Sequence, residues 1–157
     1  MTDGAAGVLK RLCRAVNDHD LDGVVECFAE TYRNVTPTHP SRGFVGNEQV
    51  RANWQRIFVG VPDVRAEVVR IVGQADADSD DEVVWSEWEM RGIRGDGAPH
   101  LMRGVIIFGV ADERVSWARF YLEPVDQSGD SVDDAIAGLV ADRVPEVGGH
   151  RTGGRSE

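Results

Sequence analysis

Two carboxylates, a phenol and an amide are spaced in this chain as acid–base groups could be. In Trp85-Ser86-Glu87-Trp88-Glu89 the glutamates stand two apart. On a strand that spacing puts Glu87, Glu89 and Trp85 on one face, with Val84, Ser86, Trp88 and Met90 on the other. If the glutamate face lines an enclosed pocket, burial raises both pKa values, and the neighbouring like charge raises one of them further. The alternative is a solvated face with the glutamates paired to arginines. Upstream, Tyr32 and Asn34 show the same spacing and could orient a water or a ligand oxygen for a nearby carboxylate. Trp54, Trp85, Met102, Ile106 and Phe120 are the expected apolar walls of a small-ligand site. Phe108 belongs there too, or is plain core.

These residues need a scaffold. Val8, Leu9, Leu12, Cys13 and Val16 recur at helical spacing, so a first helix runs from a cap at Asp3 to about Asn17. Asp20 caps a second, short helix carrying Leu21, Val24, Val25 and Phe28. Tyr32 to Thr36 has strand character, and residues 37–46, with two prolines and two glycines, read as a loop. Asn47 is expected to cap a third helix with Val50, Trp54, Ile57 and Phe58 on one face. The pattern then changes to period two: strands over 64–72, 83–91, 102–110 and 115–123, joined by short turns that include Gly95-Asp96-Gly97. Short turns make neighbours antiparallel. The expected class is α+β: a curved antiparallel sheet forming a cone-shaped barrel closed by three N-terminal helices. Residues 1–126 form that domain and 127–144 a helical extension, opened by Ser131 with Asp134. Residues 145–157, rich in glycine, are expected to be disordered.

The 157 residues carry 27 acids against 17 bases, a net charge of −10, which repels nucleic-acid phosphate and anionic lipid. No stretch has the length of a membrane span, and no secretory signal is recognised, so a cytoplasmic protein is expected. Cys13 and Cys27 are the only cysteines, and both fall among apolar helix residues as buried thiols. The four histidines show no ligand spacing, so no metal and no other cofactor is expected. His39, in the Pro-rich loop near the pocket mouth, is the one histidine kept as a functional candidate. Asp76, Asp78, Asp80, Glu82 and Glu87 approximate a calcium loop, but Asp81 stands where the sharp turn needs glycine, so a solvated acidic turn is expected.

The element order, with Phe44 to Arg51 opening the third helix, Trp85 to Glu89, Gly104 to Phe108 and Arg119 to Glu123, resembles the nuclear-transport-factor-2-like superfamily. The SnoaL-like proteins, a group containing polyketide cyclases, ketosteroid isomerases and limonene epoxide hydrolases, are nearest. The resemblance spans roughly 9–125. It implies a deep apolar pocket and a homodimer through the outer sheet face. In a gapless frame with the limonene epoxide hydrolase pattern, Glu89 falls on one catalytic aspartate, and Tyr32 and Asn34 on the pair holding the nucleophilic water. Glu87 replaces an arginine of that pattern and Phe120 its second aspartate, so the acid that would protonate an epoxide oxygen is missing. The implied activity is cofactor-free isomerisation, cyclisation or hydrolysis of a small apolar polyketide, terpenoid or steroid-like molecule. Glu89 would act as acid or base, Glu87 would tune its pKa, and Tyr32 and Asn34 would orient. A non-catalytic binding or carrier domain of the same fold is the alternative. Arg103, Arg119, Tyr121 and Glu123 are expected on the outer face with Trp88 and Trp117. A bulge would instead bring Arg119 and Tyr121 into the pocket as ligand-binding groups.

Overall fold

The computed structural model describes residues 4–141. The expected Asp3 cap, the end of the C-terminal helix and the tail over 145–157 lie outside the described residues. The chain divides into two units, Met1–Val125 and Asp126–Glu157.

In the first unit, α1 (Gly4–Asn17) buries Val8, Leu9, Leu12 and Val16, the stripe read from the sequence. His19, at φ +54°, breaks the chain direction. α2 (Leu21–Glu26) then starts from Asp20, whose Oδ1 accepts from Gly23 N at 3.0 Å. β1 (Phe28–Val35) begins four residues before the expected strand. The loop after it holds a short 3₁₀ turn, Pro40–Arg42, and a two-residue strand, β2 (Phe44–Val45). α3 (Asn47–Gly60) is not capped by Asn47 as expected. Gly46, at φ +99°, occupies the cap, and Asn47 Nδ2 instead donates to Phe28 O. Four long strands follow: β3 (Arg65–Ala75), β4 (Glu82–Ile93), β5 (Pro99–Ala111) and β6 (Arg114–Pro124).

The strands form one curved, unclosed six-stranded sheet in the order β2-β1-β6-β5-β4-β3. The expectation of an all-antiparallel closed barrel needs correcting. β1 pairs with β6 in parallel, because short turns dictate direction only between strands they join, and β1 reaches β6 across most of the chain. β2 and β3 are left as edges. Helices α1 and α3 pack on one face, and the core between them and the sheet includes Leu9, Val16, Val24, Val64, Val84 and Val115.

Two local features set which side chains face that core. The β4–β5 connection is a three-residue loop, Gly95 to Gly97. Arg94 N donates to Ala98 O at 2.8 Å and Gly97 sits at φ +83°, the arrangement of a turn followed by a left-handed residue. Glu89 therefore stands opposite Arg103, Trp88 opposite Gly104 and Met90 opposite Met102. In β6, a bulge at Ser116 separates Val115, paired with Val110, from Trp117, paired with Gly109. Beyond it Ala118, Phe120 and Leu122 return to the inner face.

In the second unit, α4 (Val132–Ala141) follows Ser131, whose Oγ accepts from Asp134 N and donates to Asp134 Oδ2. Its apolar side chains Val132, Ile136, Leu139 and Val140 are exposed.

Gly104 marks the tightest backbone approach in the sheet. At φ +155°, a Cβ there would lie 2.1 Å from Tyr121 O and 2.9 Å from Leu122 Cα, atoms of a strand backbone that cannot step aside. Gly104→Ala should cost about 1–3 kcal/mol, the range for over-packing a closed interior. Urea denaturation measures it, and an unchanged midpoint would show that the sheet yields there.

Candidate functional site

The inner face of the sheet, α1 and α3 enclose a cavity of about 300 Å³, at the lower end of the range for small-molecule sites. Leu12 and Val16 of α1 line it, with Val50, Asn53, Trp54 and Ile57 of α3. The sheet contributes Phe28, Tyr32 and Asn34 of β1, Phe44 of β2, Ala66 of β3 and Trp88 and Met90 of β4. Met102, Ile106 and Phe108 come from β5, and Phe120 and Leu122 from β6. Tyr32, Phe28 and Phe44 meet edge to face, with ring centroids 4.7 and 5.9 Å apart.

A short polar chain crosses this wall. Tyr32 Oη donates to Asn34 Oδ1 at 2.9 Å, and Asn34 Nδ2 donates to Thr36 Oγ1 at 3.3 Å. All three residues are buried. Burial pushes the Tyr32 phenol far above its ordinary pKa, so it remains protonated at any ordinary pH and can donate but not act as a base. Asn34 keeps one amide N–H, and Thr36 its hydroxyl proton, with no acceptor among the described residues. The wall therefore offers donors to a ligand oxygen.

Trp88 also has a fixed orientation. Its Nε1 donates to Ser86 Oγ at 2.8 Å, and Ser86 Oγ donates to Ile106 O at 2.7 Å. Gly104 opposite it carries no side chain.

At the mouth stand the two charged groups of the lining, Arg42 from the 3₁₀ turn and Glu123 from the end of β6. Glu123 Oε1 lies 3.0 Å from His39 Nε2 and accepts from Thr38 Oγ1 at 3.3 Å. The loop after β1 is thus tied to β6.

The expected site residues separate into two sets. Tyr32, Asn34, Trp54, Met102, Ile106 and Phe120 meet around the cavity, with Phe108. Trp85, Glu87 and Glu89 do not: β4 presents Val84, Ser86, Trp88 and Met90 inward, all buried, while Trp85 is 53% exposed. The placement of both carboxylates in the pocket is thereby overturned, and so are the outward placements of Trp88 and of Glu123, which line the cavity. Glu87 faces Arg70 at 3.9 Å. Glu89 lies between Arg103, whose Nε donates to its Oε2 at 2.9 Å, and Arg91, which bonds its other oxygen. The hydrogen bond from Arg103 and the charge of Arg91 hold the Glu89 carboxyl below its ordinary pKa, the reverse of the upward shift that burial in a hollow would cause. Arg119 and Tyr121 also lie outside, exposed, with Arg119 Nη2 donating to Tyr121 Oη at 3.3 Å. The bulge at Ser116 comes before them and does not turn them inward.

Sequence reasoning missed Thr36, Arg42, Asn53, Trp88, Met90 and Glu123. Thr36 continues the two-residue step of Tyr32 and Asn34, and Trp88 and Met90 form the apolar half of an alternating strand. Both signals were present. Arg42 and Glu123 reach the mouth through loop and strand-end geometry, which no local pattern reports. In the acidic turn at 76–82, Asp76 accepts from Asp78 N and Ser79 Oγ within the turn, and Asp81 accepts from Ser116 Oγ and Trp117 Nε1 of β6. No helix among the described residues is long and apolar enough to cross a membrane.

A curved, unclosed mixed sheet, its helical cover and the cavity between them fit a nuclear-transport-factor-2-like fold. A SnoaL-like domain model matches residues 9–118, and the chain belongs to that family. Solved structures agree on the fold. An NTF2-like protein of unknown function from Exiguobacterium sp. 255-15 is 16% identical, with a TM-score of 0.60 over 76% of this chain and 99% of that one. A protein of ketosteroid isomerase-like fold from Catenulispora acidiphila, in complex with trimethylamine, is 16% identical, with a TM-score of 0.59 over 88% and 97%. An LEH-like epoxide hydrolase from M. tuberculosis is 18% identical, with a TM-score of 0.59 over 86% of this chain and 88% of that one. At these identities the likeness is one of fold alone. No curated protein matches the chain.

Glu89 provides a test of the two placements. Its folded-state pKa is lowered, so its pairing stabilises the fold above the unfolded value near 4.5. That contribution fades as pH falls through the lowered value. The stability gap between the native chain and Glu89→Gln should be constant at neutral pH and close on acidification, read by urea denaturation at a series of pH values. A gap that widens in acid would mean that Glu89 is held as the neutral acid after all.

Proposed function

We propose that the protein binds a small, largely apolar molecule bearing an oxygen function, with the apolar body in the cavity and the oxygen held by the Asn34 and Thr36 donors. The carrying observation is the Tyr32–Asn34–Thr36 chain. Polar groups this buried are normally fully partnered, since burial without partners costs roughly 1–3 kcal/mol. Here donors are left over on the wall of an apolar hollow. This favours the binding or carrier alternative over acid–base catalysis by Glu87 and Glu89, which face away from the cavity.

A second reading keeps an enzyme, of the cofactor-free isomerase, cyclase or hydrolase kind. It is supported by one group: Glu123, the carboxylate on the lining, beside His39. In that reading Glu123 would exchange the proton, and Glu123→Gln would end turnover of an identified substrate while leaving its binding in place.

The outer sheet face supports a homodimer. Trp85 and Val72 sit opposite each other there, 53% and 68% exposed, within a ladder of arginines and glutamates.

Native mass spectrometry of the purified protein reads both proposals. The binding reading expects a co-purified mass on the native chain and its loss in Met102→Trp, which fills the cavity from β5. The dimer reading expects twice the 17.2 kDa of one chain. Equal ligand occupancy in Met102→Trp would place the ligand elsewhere and end the cavity assignment.

A further inference from the structure

We infer that the oxygen function of the ligand is a carboxylate, or an equivalent single anion, and that Arg42 selects it at the mouth of the cavity. This rests on the reading of the cavity as a ligand site and names the ligand class for it.

Two charged side chains line the cavity, Arg42 and Glu123. They are not in the same condition. Glu123 Oε1 is engaged by His39 Nε2 and by Thr38 Oγ1. Arg42 has no ion pair and no side-chain hydrogen bond to any of the described residues. A guanidinium is a planar fork of donors matched to a carboxylate, and here it stands beside an apolar hollow with its fork unoccupied. Ion pairs occupy the arginines at positions 51, 70, 91, 94 and 103; what sets Arg42 apart from the other unpaired arginines among the described residues is that it lines the cavity.

The loop that carries Arg42 is ordered before any ligand arrives. Pro40 opens the 3₁₀ turn. Arg42 N donates to His39 O at 2.9 Å, and Gly43 N donates to Pro40 O at 3.2 Å. Gly43 runs so close to β1 that a Cβ there would lie 3.2 Å from Asn34 O. His39 and Thr38 pin the other side of the loop to Glu123. The backbone cost of placing the cation is thus met in folding, which leaves more of the ion-pair energy for binding. His39 and Glu123 act here as positioning residues, and Thr36, two residues after Asn34, supplies the nearest donor of the buried chain to the same loop.

The net charge of −10 works against anion binding in general. A preference for an anion therefore has to come from a local cation, and that makes the inference easy to test. Isothermal titration with naphthalene-2-carboxylate and 2-naphthalenemethanol compares two probes of nearly equal size that differ in charge. The native chain should bind the acid at least about five-fold more tightly than the alcohol, the order expected of a charge-assisted pair to an exposed cation. Arg42→Gln should bring the acid down to the level of the alcohol and leave the alcohol unchanged within about two-fold. Arg56→Gln removes an exposed cation of α3 that does not line the cavity, and it should keep the preference intact. Equal binding of acid and alcohol by the native chain overturns the inference while the cavity assignment stands, as does a loss in Arg42→Gln that is shared by both probes or a loss that Arg56→Gln reproduces. If neither probe binds the native chain, the cavity assignment fails and the inference fails with it.

Discussion

The hydrogen-bonded register between β4 and β5 decides what the cavity is made of. Side chains directly opposite one another in an antiparallel ladder share a face. Once Arg94 closes on Ala98, every residue of β4 is bound to the face of its partner on β5. Met102 and Ile106 look inward, so Met90 and Ser86 do too. Arg103 looks outward and takes Glu89 with it. The cavity wall, the position of the carboxylates and the apolar character of the site all follow from that single closure. The energetic logic runs the same way. Two glutamates facing an apolar hollow would each cost several kcal/mol to desolvate, whereas on the outer face they meet Arg70, Arg91 and Arg103 at the surface.

A wall built this way is apolar except along β1 and the segment after it, at Asn53 of α3 and at Glu123 of β6. Tyr32, Asn34 and Thr36 form a buried line of hydroxyl and amide groups, and the loop after them carries the charges of the mouth. The molecule thus separates two tasks. Apolar side chains from eight elements shape the volume, and one stretch of chain, from Tyr32 to Arg42, supplies most of its polar recognition. Solved structures that share the fold include an epoxide hydrolase and a protein of unknown function, so function resides in the few side chains at the site and not in the fold.

Much of the architecture was legible in the sequence. The helical stripes of α1 and α3, the Asp20 cap, the four long strands and the Ser131–Asp134 opening of α4 follow from spacing and from turn residues, which are local properties. The cavity-facing positions on β1, β5 and β6 were legible for the same reason. On β4 the face was misassigned although the signal was there. Val84, Ser86, Trp88 and Met90 are the less charged half of the alternation, and a three-residue turn already ties Glu89 to Arg103. The motif resemblance alone points to the glutamate half, whereas the closure of that turn sets the other half inside. The parallel pairing of β1 with β6 and the arrival of Arg42 and Glu123 at one opening were not legible, because they depend on contacts between segments about eighty residues apart, which no local period encodes.

The odd length of the β4–β5 turn has an evolutionary corollary. One codon inserted or deleted between Arg94 and Ala98 that the turn did not absorb would offset β4 by one residue and change which half of it accompanies Met102 and Ile106. A lineage could in that way trade tryptophan and methionine for a pair of acids in its binding chamber, or the reverse, without altering any strand sequence. Within a family of one fold and divergent chemistries, indels at this hairpin are therefore a place to look when sorting members that hold ligands from members that transform them.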